Sequence, residues 1–367
     1  MNPLNQFCHN PDCSARGQLG LGNIRVHSQK DRRYRCTTCR RTFAATADTP
    51  FYRLKVATDL VTLVLTLISH GCPLKAIVAA FGYDERTVAA WRDRAGHQAR
   101  RFHEHHVLQG RIDLGHVQAD ELFVRVVGRR LWMALAMAVP SRLWLGGAVS
   151  ASRDRHLITA VVRMVRRAAR GFNFLACVDG LASYVTAFDR VFRDPVRTGR
   201  RGRPRLVPMG ELLLGQVIKH RSGRHLVALT RRAVRGTAEA ITATIVATGT
   251  GTDINTAYIE RLNATFRARL CPLVRRGRAT VRSERVLTNW MFLMGCSYNF
   301  CCEHASLRVA ASPESGRKWQ ERTPAMAAGL TDHRWGMEEM LSFAIPLPTR
   351  VAPKRRGRPP KRLATTP

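Results

Sequence analysis

The segment Gly115-His116-Val117-Gln118-Ala119-Asp120-Glu121-Leu122-Phe123-Val124 is where the chain changes period. Here Val117, Ala119, Glu121 and Phe123 alternate with Gln118, Asp120, Leu122 and Val124, the two-residue repeat of a strand. Two apolar runs follow after short breaks, Leu131 to Val139 and Leu143 to Val149, so the three together read as a meander. His156 to Ala169 then returns to helical spacing, with Leu157, Val161, Met164 and Val165 inward and Arg163, Arg166 and Arg167 outward. A fully apolar strand, Phe174 to Val178, ends at Asp179-Gly180. Three strands, a helix, a strand and a later helix fit an α/β layer built on a mixed sheet.

That later helix lies in Asp253 to Arg267. Ile259, Leu262, Phe266 and Leu270 form one apolar stripe, while Glu260, Asn263 and Arg267 stack on a separate polar face. Asp253 can begin a turn, and Asn255 suits either a helix cap or a site. Between Ala187 and Arg235 the sequence reads as an insertion with a basic Gly/Pro loop, Arg197 to Arg205, and strands at Gln216 to Lys219 and His225 to Leu229. Ser283 to Cys302 is a long apolar helix suited to a core.

Upstream, Cys8-x4-Cys13 and Cys36-x2-Cys39 are two knuckles in one short segment. They match a four-thiolate zinc ribbon, in which the metal substitutes for a core too small to form alone; His9 is a rival ligand. The remaining cysteines sit in apolar or helical contexts and read as buried thiols. Next come three helices: Leu60 to Ser69 with Asp59 as cap, Leu74 to Phe81 after Gly71-Cys72-Pro73, and a third capped by Asp84 and running from Glu85 toward Arg100. Short helix, Gly82 turn, then an Arg-bearing helix is the helix-turn-helix pattern, with Arg86, Arg92 and Arg94 presented to DNA.

Composition narrows the function. Sixty Lys and Arg against 26 Asp and Glu give a formal charge of +34, spread along 367 residues that are 45% hydrophobic. Such a field attracts polyanions, nucleic acid above all. Residues 1–25 hold no continuous apolar run of the export type, and Pro140 and Arg142 interrupt the most apolar stretch, Leu131 to Ser150. The expectation is a cytoplasmic protein with no membrane partner.

In so basic a chain, three converging acids need a cation. Asp120 in the first strand, Asp179 at the end of the fourth and Glu260 on the helix are the candidates. Two Mg²⁺ (or Mn²⁺) ions would neutralise them with few protein ligands, activate a hydroxyl and stabilise the leaving oxygen in phosphoryl transfer. Strand alternation lets only one of Asp120 and Glu121 face that site. Asp113, Asp189 and Asp194 are rivals that read as surface residues, the last two on a helix.

Taken together, the knuckles, the helix-turn-helix, Asp120, Asp179-Gly180 and Asn255-x4-Glu260-Arg261-x-Asn263 resemble bacterial insertion-sequence transposases of the DDE type. The sequence is most similar to the family typified by insertion sequence one, and the phrase Thr323-Pro324-Ala325-Met326-Ala327-Ala328-Gly329-Leu330 shares in that resemblance. The resemblance implies an RNase H-like fold, with Asp120, Asp179 and Glu260 as catalytic metal ligands and Asn263 and Arg267 at the DNA. It also implies cleavage and joining of double-stranded DNA, at element ends and target, by a homo-oligomer at the bacterial nucleoid. The expected organisation is a zinc ribbon over 1–50, a helix-turn-helix domain over 55–105 and a catalytic domain over 112–310 with an insertion near 187–235. A C-terminal extension over 311–349 and a disordered basic tail over 350–367 complete it.

Two arms share Arg-Gly-Arg-Pro, carrying Arg201 and Arg203 in one and Arg356 and Arg358 in the other. They suit an A/T-rich minor groove or a base-blind grip on phosphates. Two other functions stay open: a zinc-containing DNA-binding regulator with an inactive RNase H-like domain, and a Mg-dependent nuclease.

Overall fold

The structure is a computed structural model that describes every residue except 127, 128, 198, 200, 224, 275–280, 282 and 349–367. The tail with Arg356 and Arg358 therefore lies outside the described residues. Two compact units divide the rest: Met1–Asp48 with residues 344–348, and Thr49–Phe343.

The first unit is an antiparallel three-stranded sheet of β1 (Ile24–Ser28), β2 (Arg33–Cys36) and β3 (Thr42–Ala44), in that order. Its buried interior is Ala15, Ile24 and Tyr34 together with Cys8, Cys13 and Cys36. So few apolar side chains cannot offset the entropy of ordering the segment.

The second unit opens with α1 (Thr58–Ser69), α2 (Leu74–Phe81) and α3 (Glu85–His106). Asp59 sits inside the first turn of α1, whose cap position is Ala57. Gly82 closes α2 in the left-handed region (φ 70°), and the Asp84 carboxylate accepts from the Arg86 N–H at 2.8 Å to start α3. At 22 residues α3 runs past Arg100, and Ala95, Ala99, Phe102 and His103 are fully buried in it. These three helices form no separate body; they belong to the same compact unit as the sheet.

That packing corrects two expected DNA contacts. Arg92 is only 7% exposed, with its guanidinium 4.9 Å from the Trp290 ring centre and paired to Asp93 at 2.8 Å. Arg94 donates to the Tyr52 carbonyl at 2.6 Å, so it ties down the preceding loop. Of the three, Arg86 alone is fully exposed. Where α3 packs against Trp290 and the preceding loop, its arginines turn to internal tasks.

The sheet follows as the meander β4 (His116–Val126), β5 (Arg129–Ala138) and β6 (Leu143–Ser150). Then come α4 (Arg155–Ala168), β7 (Leu175–Asp179) and α5 (Ala182–Val191), with Asp154 capping α4 through the Leu157 N–H at 3.0 Å. A short hairpin of β8 (Arg193–Val196) and β9 (Arg205–Pro208) precedes β10 (Leu213–Ser222) and β11 (His225–Arg235). The mixed six-stranded order is β11-β10-β7-β4-β5-β6, with β4, β7 and β10 mutually parallel. Strands read at sequence level as parts of an insertion thus complete the sheet, because Leu213 to Val217 pair in register with Leu175 to Asp179. Only β8 and β9 stand apart from it, and Asp194 lies there on a strand rather than a helix.

Helices α6 (Ala238–Ala247), α7 (Ala257–Arg269) and α8 (Glu284–Cys296) complete the layers, α6 against β7 and β10, α7 against β4 and β5, α8 against β6 and α3. Among the described residues no helix is long and apolar enough to cross a membrane. The α3–α8 seam is close: a Cβ on Gly96 would lie 2.3 Å from the Asn289 carbonyl oxygen. Gly96→Ala should therefore lower the urea midpoint by an amount worth about 1–3 kcal/mol. Gly210→Ala, which meets nothing within 4 Å, should leave the midpoint unchanged.

Candidate functional site

One buried side chain places α7. Gln118, on β4 and 0% exposed, accepts from the Ile259 N–H at 3.0 Å and donates to the Asn255 carbonyl at 2.8 Å. Asn255 in turn accepts from the Ala257 N–H at 3.2 Å, one residue ahead of the α7 cap position, Thr256. The stripe Ile259, Leu262, Phe266 and Leu270 is fully buried, as the period required. Two residues along β4 on the same face, Asp120 accepts from the Asn263 side-chain amide at 2.7 Å. Asn263 is 1% exposed, so it orients Asp120 and is not available to DNA, a correction to its expected role. Its amide oxygen has no hydrogen-bond partner, leaving an unused acceptor beside the acid.

The parallel pairing of β4 with β7 ends at Ala119 and Val178, which brings Asp179 beside Asp120. It also changes the fate of Glu121. Although Glu121 points to the opposite face of β4, the ladder has ended there. Oxygens of Asp120, Glu121 and Asp179 all lie within 4.8 Å of one another. Glu121 accepts from the buried Tyr184 hydroxyl at 2.9 Å and from Arg153 Nε at 2.5 Å, and Arg153 also reaches Asp179 at 3.4 Å. Alternation alone gave Glu121 no part here. The signal that could have found it is the acidic doublet itself, one half of which had to be buried.

Glu260 lines the same cavity of about 410 Å³ as Asp120 and Asp179, together with Arg153, Lys219 and Thr256. It is half-exposed, forms an ion pair with Lys219 and accepts from the Thr256 hydroxyl at 2.8 Å. The tight carboxylate group therefore contains two of the three expected acids, and the third stands at its rim in a cationic grip. Arg267 is half-buried further along α7, and Arg201 and Arg203 are exposed between β8 and β9. The rivals Asp113 and Asp189 pair instead with Arg170 and Arg235.

Electrostatics separates these acids. Burial, then the charge of Glu121, pushes the Asp120 carboxyl up to about 7, against the Glu121 backbone N–H that favours the ionised form. Burial and Asp179 also raise Glu121, with Arg153 opposing. For Glu260 partial burial acts upward, but Lys219 and Thr256 outweigh it and hold the group below the usual range. Among the described residues Asp120 forms no ion pair, so the negative charge it gains on ionising is one that a divalent cation could neutralise.

In the other unit the four cysteines converge. Their sulfurs lie within 4.8 Å of one another, with Cys8 to Cys39 at 3.5 Å and Cys13 to Cys36 at 4.0 Å. The Asn23 amide donates to Cys36 Sγ at 3.5 Å. Burial raises Cys8 and Cys13; for Cys39 the same burial is outweighed by the Arg41 backbone N–H and neighbouring donors, which bring it down to about 7. His9 stays outside this group, its ring tilted against Phe7 at 4.7 Å and Phe43 at 4.8 Å. Both clusters are thus donor sets that could hold a metal, one of soft thiolates and one of hard carboxylates. Compared with models of protein families and with curated proteins, the chain matches none.

Asp120 yields a signed prediction. Its folded value, about 7, exceeds the ordinary 3.8, so folding holds a proton and the metal-free protein loses stability as pH rises from about 4 through about 7. A bound divalent cation replaces that proton. The gain in melting temperature from added Mg²⁺ should accordingly grow between about pH 5 and pH 8. Asp120→Asn should abolish the trend and raise the metal-free melting temperature at the upper end.

Proposed function

We propose that the chain is a DDE-type transposase, similar to the insertion-sequence-one family, that cleaves and joins DNA at the ends of a mobile element. The observation that carries this reading is the meeting of Asp120 and Asp179 from adjacent parallel strands in a cavity that Glu260 of α7 also lines. The order β6-β5-β4-β7-β10 supports an RNase H-like domain: an antiparallel meander, then two parallel strands across the first. The domain spans 112–310 and takes in β10 and β11 as sheet strands.

Mg²⁺ or Mn²⁺ at these carboxylates would supply an activated hydroxyl and stabilise the leaving oxygen of an in-line phosphoryl displacement. Asp120, held by Asn263, and Asp179 are the residues that would hold it, with Glu260 at the rim. Arg153 and Lys219 line the cavity and provide positive charge for phosphate oxygens. Tyr184 fixes Glu121, which in turn holds Arg153 beside Asp179.

The thiolate cluster fits zinc. Its sulfur separations of 3.5 and 4.0 Å bracket the edge of about 3.8 Å expected for a tetrahedron with Zn–S near 2.3 Å. The ribbon, Arg86 and the arm bearing Arg201 and Arg203 would then contact double-stranded DNA, with a multimer bridging separated ends.

The test uses purified protein, Mg²⁺, a labelled duplex carrying the element end and a plasmid target. Wild type should cleave and join, while Glu260→Gln, equal in size but without the charge, should be at least about 100-fold slower. Cleavage without joining would leave a nuclease. Tight binding with neither product in either protein would point to a regulator and sink the catalytic reading. The ribbon has its own check: metal analysis should find one zinc per chain, lost in Cys13→Ser along with folding of the first unit.

A further inference from the structure

Away from the acidic cavity, α4 and α5 enclose a groove of about 530 Å³ lined by Arg155, His156, Thr159, Arg163, Arg166 and Arg190. Its lining contains no acid. Of the neighbouring carboxylates, Asp154 caps α4 and lies 3.6 Å from His156 Nδ1 at one end of the groove, and Asp189 pairs with Arg235.

A row of surface arginines is ordinarily just a solvated helix face. Three features set this one apart. First, the groove is concave and combines arginines from two helices. Second, Arg166 is fixed: it donates to the Val191 carbonyl, and its guanidinium lies 5.2 Å from the Phe172 ring centre and 5.9 Å from that of Phe192. A guanidinium already held in place loses little further entropy on meeting an anion. Third, positions 155, 159, 163 and 166 share one narrow strip of α4 at helical spacing. At about 1.5 Å rise per residue the strip is about 16 Å long, about the axial length of five base pairs of B-DNA.

Position completes the argument. Arg153 lines the acidic cavity and Arg155 lines the groove, with only Asp154 between them in sequence. We propose that this groove is a seat for the phosphate backbone of double-stranded DNA, leading the duplex to the acidic cavity without reading its bases. The proposal rests on the functional reading above, which supplies the acid site as its neighbour. It adds a DNA surface distinct from α3 and from the Arg201–Arg203 arm.

The experiment compares full-length wild type with Arg163→Glu/Arg190→Glu, both residues being exposed. Binding of a short random-sequence duplex is followed by fluorescence anisotropy across a salt series without divalent metal. Arg317→Glu/Lys318→Glu, an equal charge change at an exposed site, is the control. The groove variant should bind at least about tenfold more weakly at about 0.1 M salt, with the log–log salt slope reduced by about 2. The control should stay within about threefold of wild type. Should the groove variant melt early, Arg163→Ala/Arg190→Ala replaces it, with a slope change in the same direction. An unchanged slope, or an equal loss in the control, overturns the groove and leaves the transposase reading standing. Failure of wild type to bind any duplex removes both. Loss of binding to phosphatidylserine vesicles with duplex binding intact would make the groove a lipid seat and overturn the proposal.

Discussion

The arrangement of the second unit depends on a single buried amide. Gln118 uses its oxygen and its nitrogen to fix both backbone polarities at the start of α7, and no water reaches it. Losing either bond would strand a buried donor or acceptor, a cost of about 1–3 kcal/mol. The geometric effect matters more than the energy. With the first turn of α7 pinned to β4, the phase of the helix is fixed, and Ile259, Leu262 and Phe266 fall into the core together. Asn263 then arrives beside Asp120 and Glu260 beside Lys219 as results of the same registration.

Around that frame, charge is distributed by burial. Asp120 is satisfied by an amide and a backbone N–H, and it resists ionisation. Its neighbour Glu121 is buried but has a guanidinium and a phenol as partners. Glu260, at the open rim, ionises easily and is matched by an ammonium. The acids in and beside this cavity are thus of different kinds, from the reluctant carboxyl of Asp120 to the ready carboxylate of Glu260 at the rim.

What could be read from the sequence was whatever follows from period and spacing. The meander, the strand ending at Asp179, the apolar stripe of α7 and the cysteine pairs are local patterns, and each is present. What failed depended on where a ladder stops or which face a neighbour covers. Glu121 was excluded by alternation, a rule that assumes pairing continues; β4 and β7 stop pairing one residue earlier. Arg92 and Asn263 look like nucleic-acid contacts because both are polar and helical, yet Trp290 and Asp120 claim them from distant parts of the chain. β10 read as part of an insertion because its partner, β7, lies beyond an intervening helix and hairpin. Strand partnership of this sort leaves no periodic trace.

The bond between Asn263 and Asp120 spans 143 residues, and the two neighbouring parallel pairings each require a helical crossover. Contacts of such long sequence separation form late in folding, after the loop-closure entropy has been met. A nascent chain in which β4 and β7 have already emerged still lacks the element that orients Asp120. During synthesis, then, Asp120 stays without its amide partner until α7 has left the ribosome and docked. A chain terminated before α7 carries Asp120 and Asp179 but never the amide that orients the first of them.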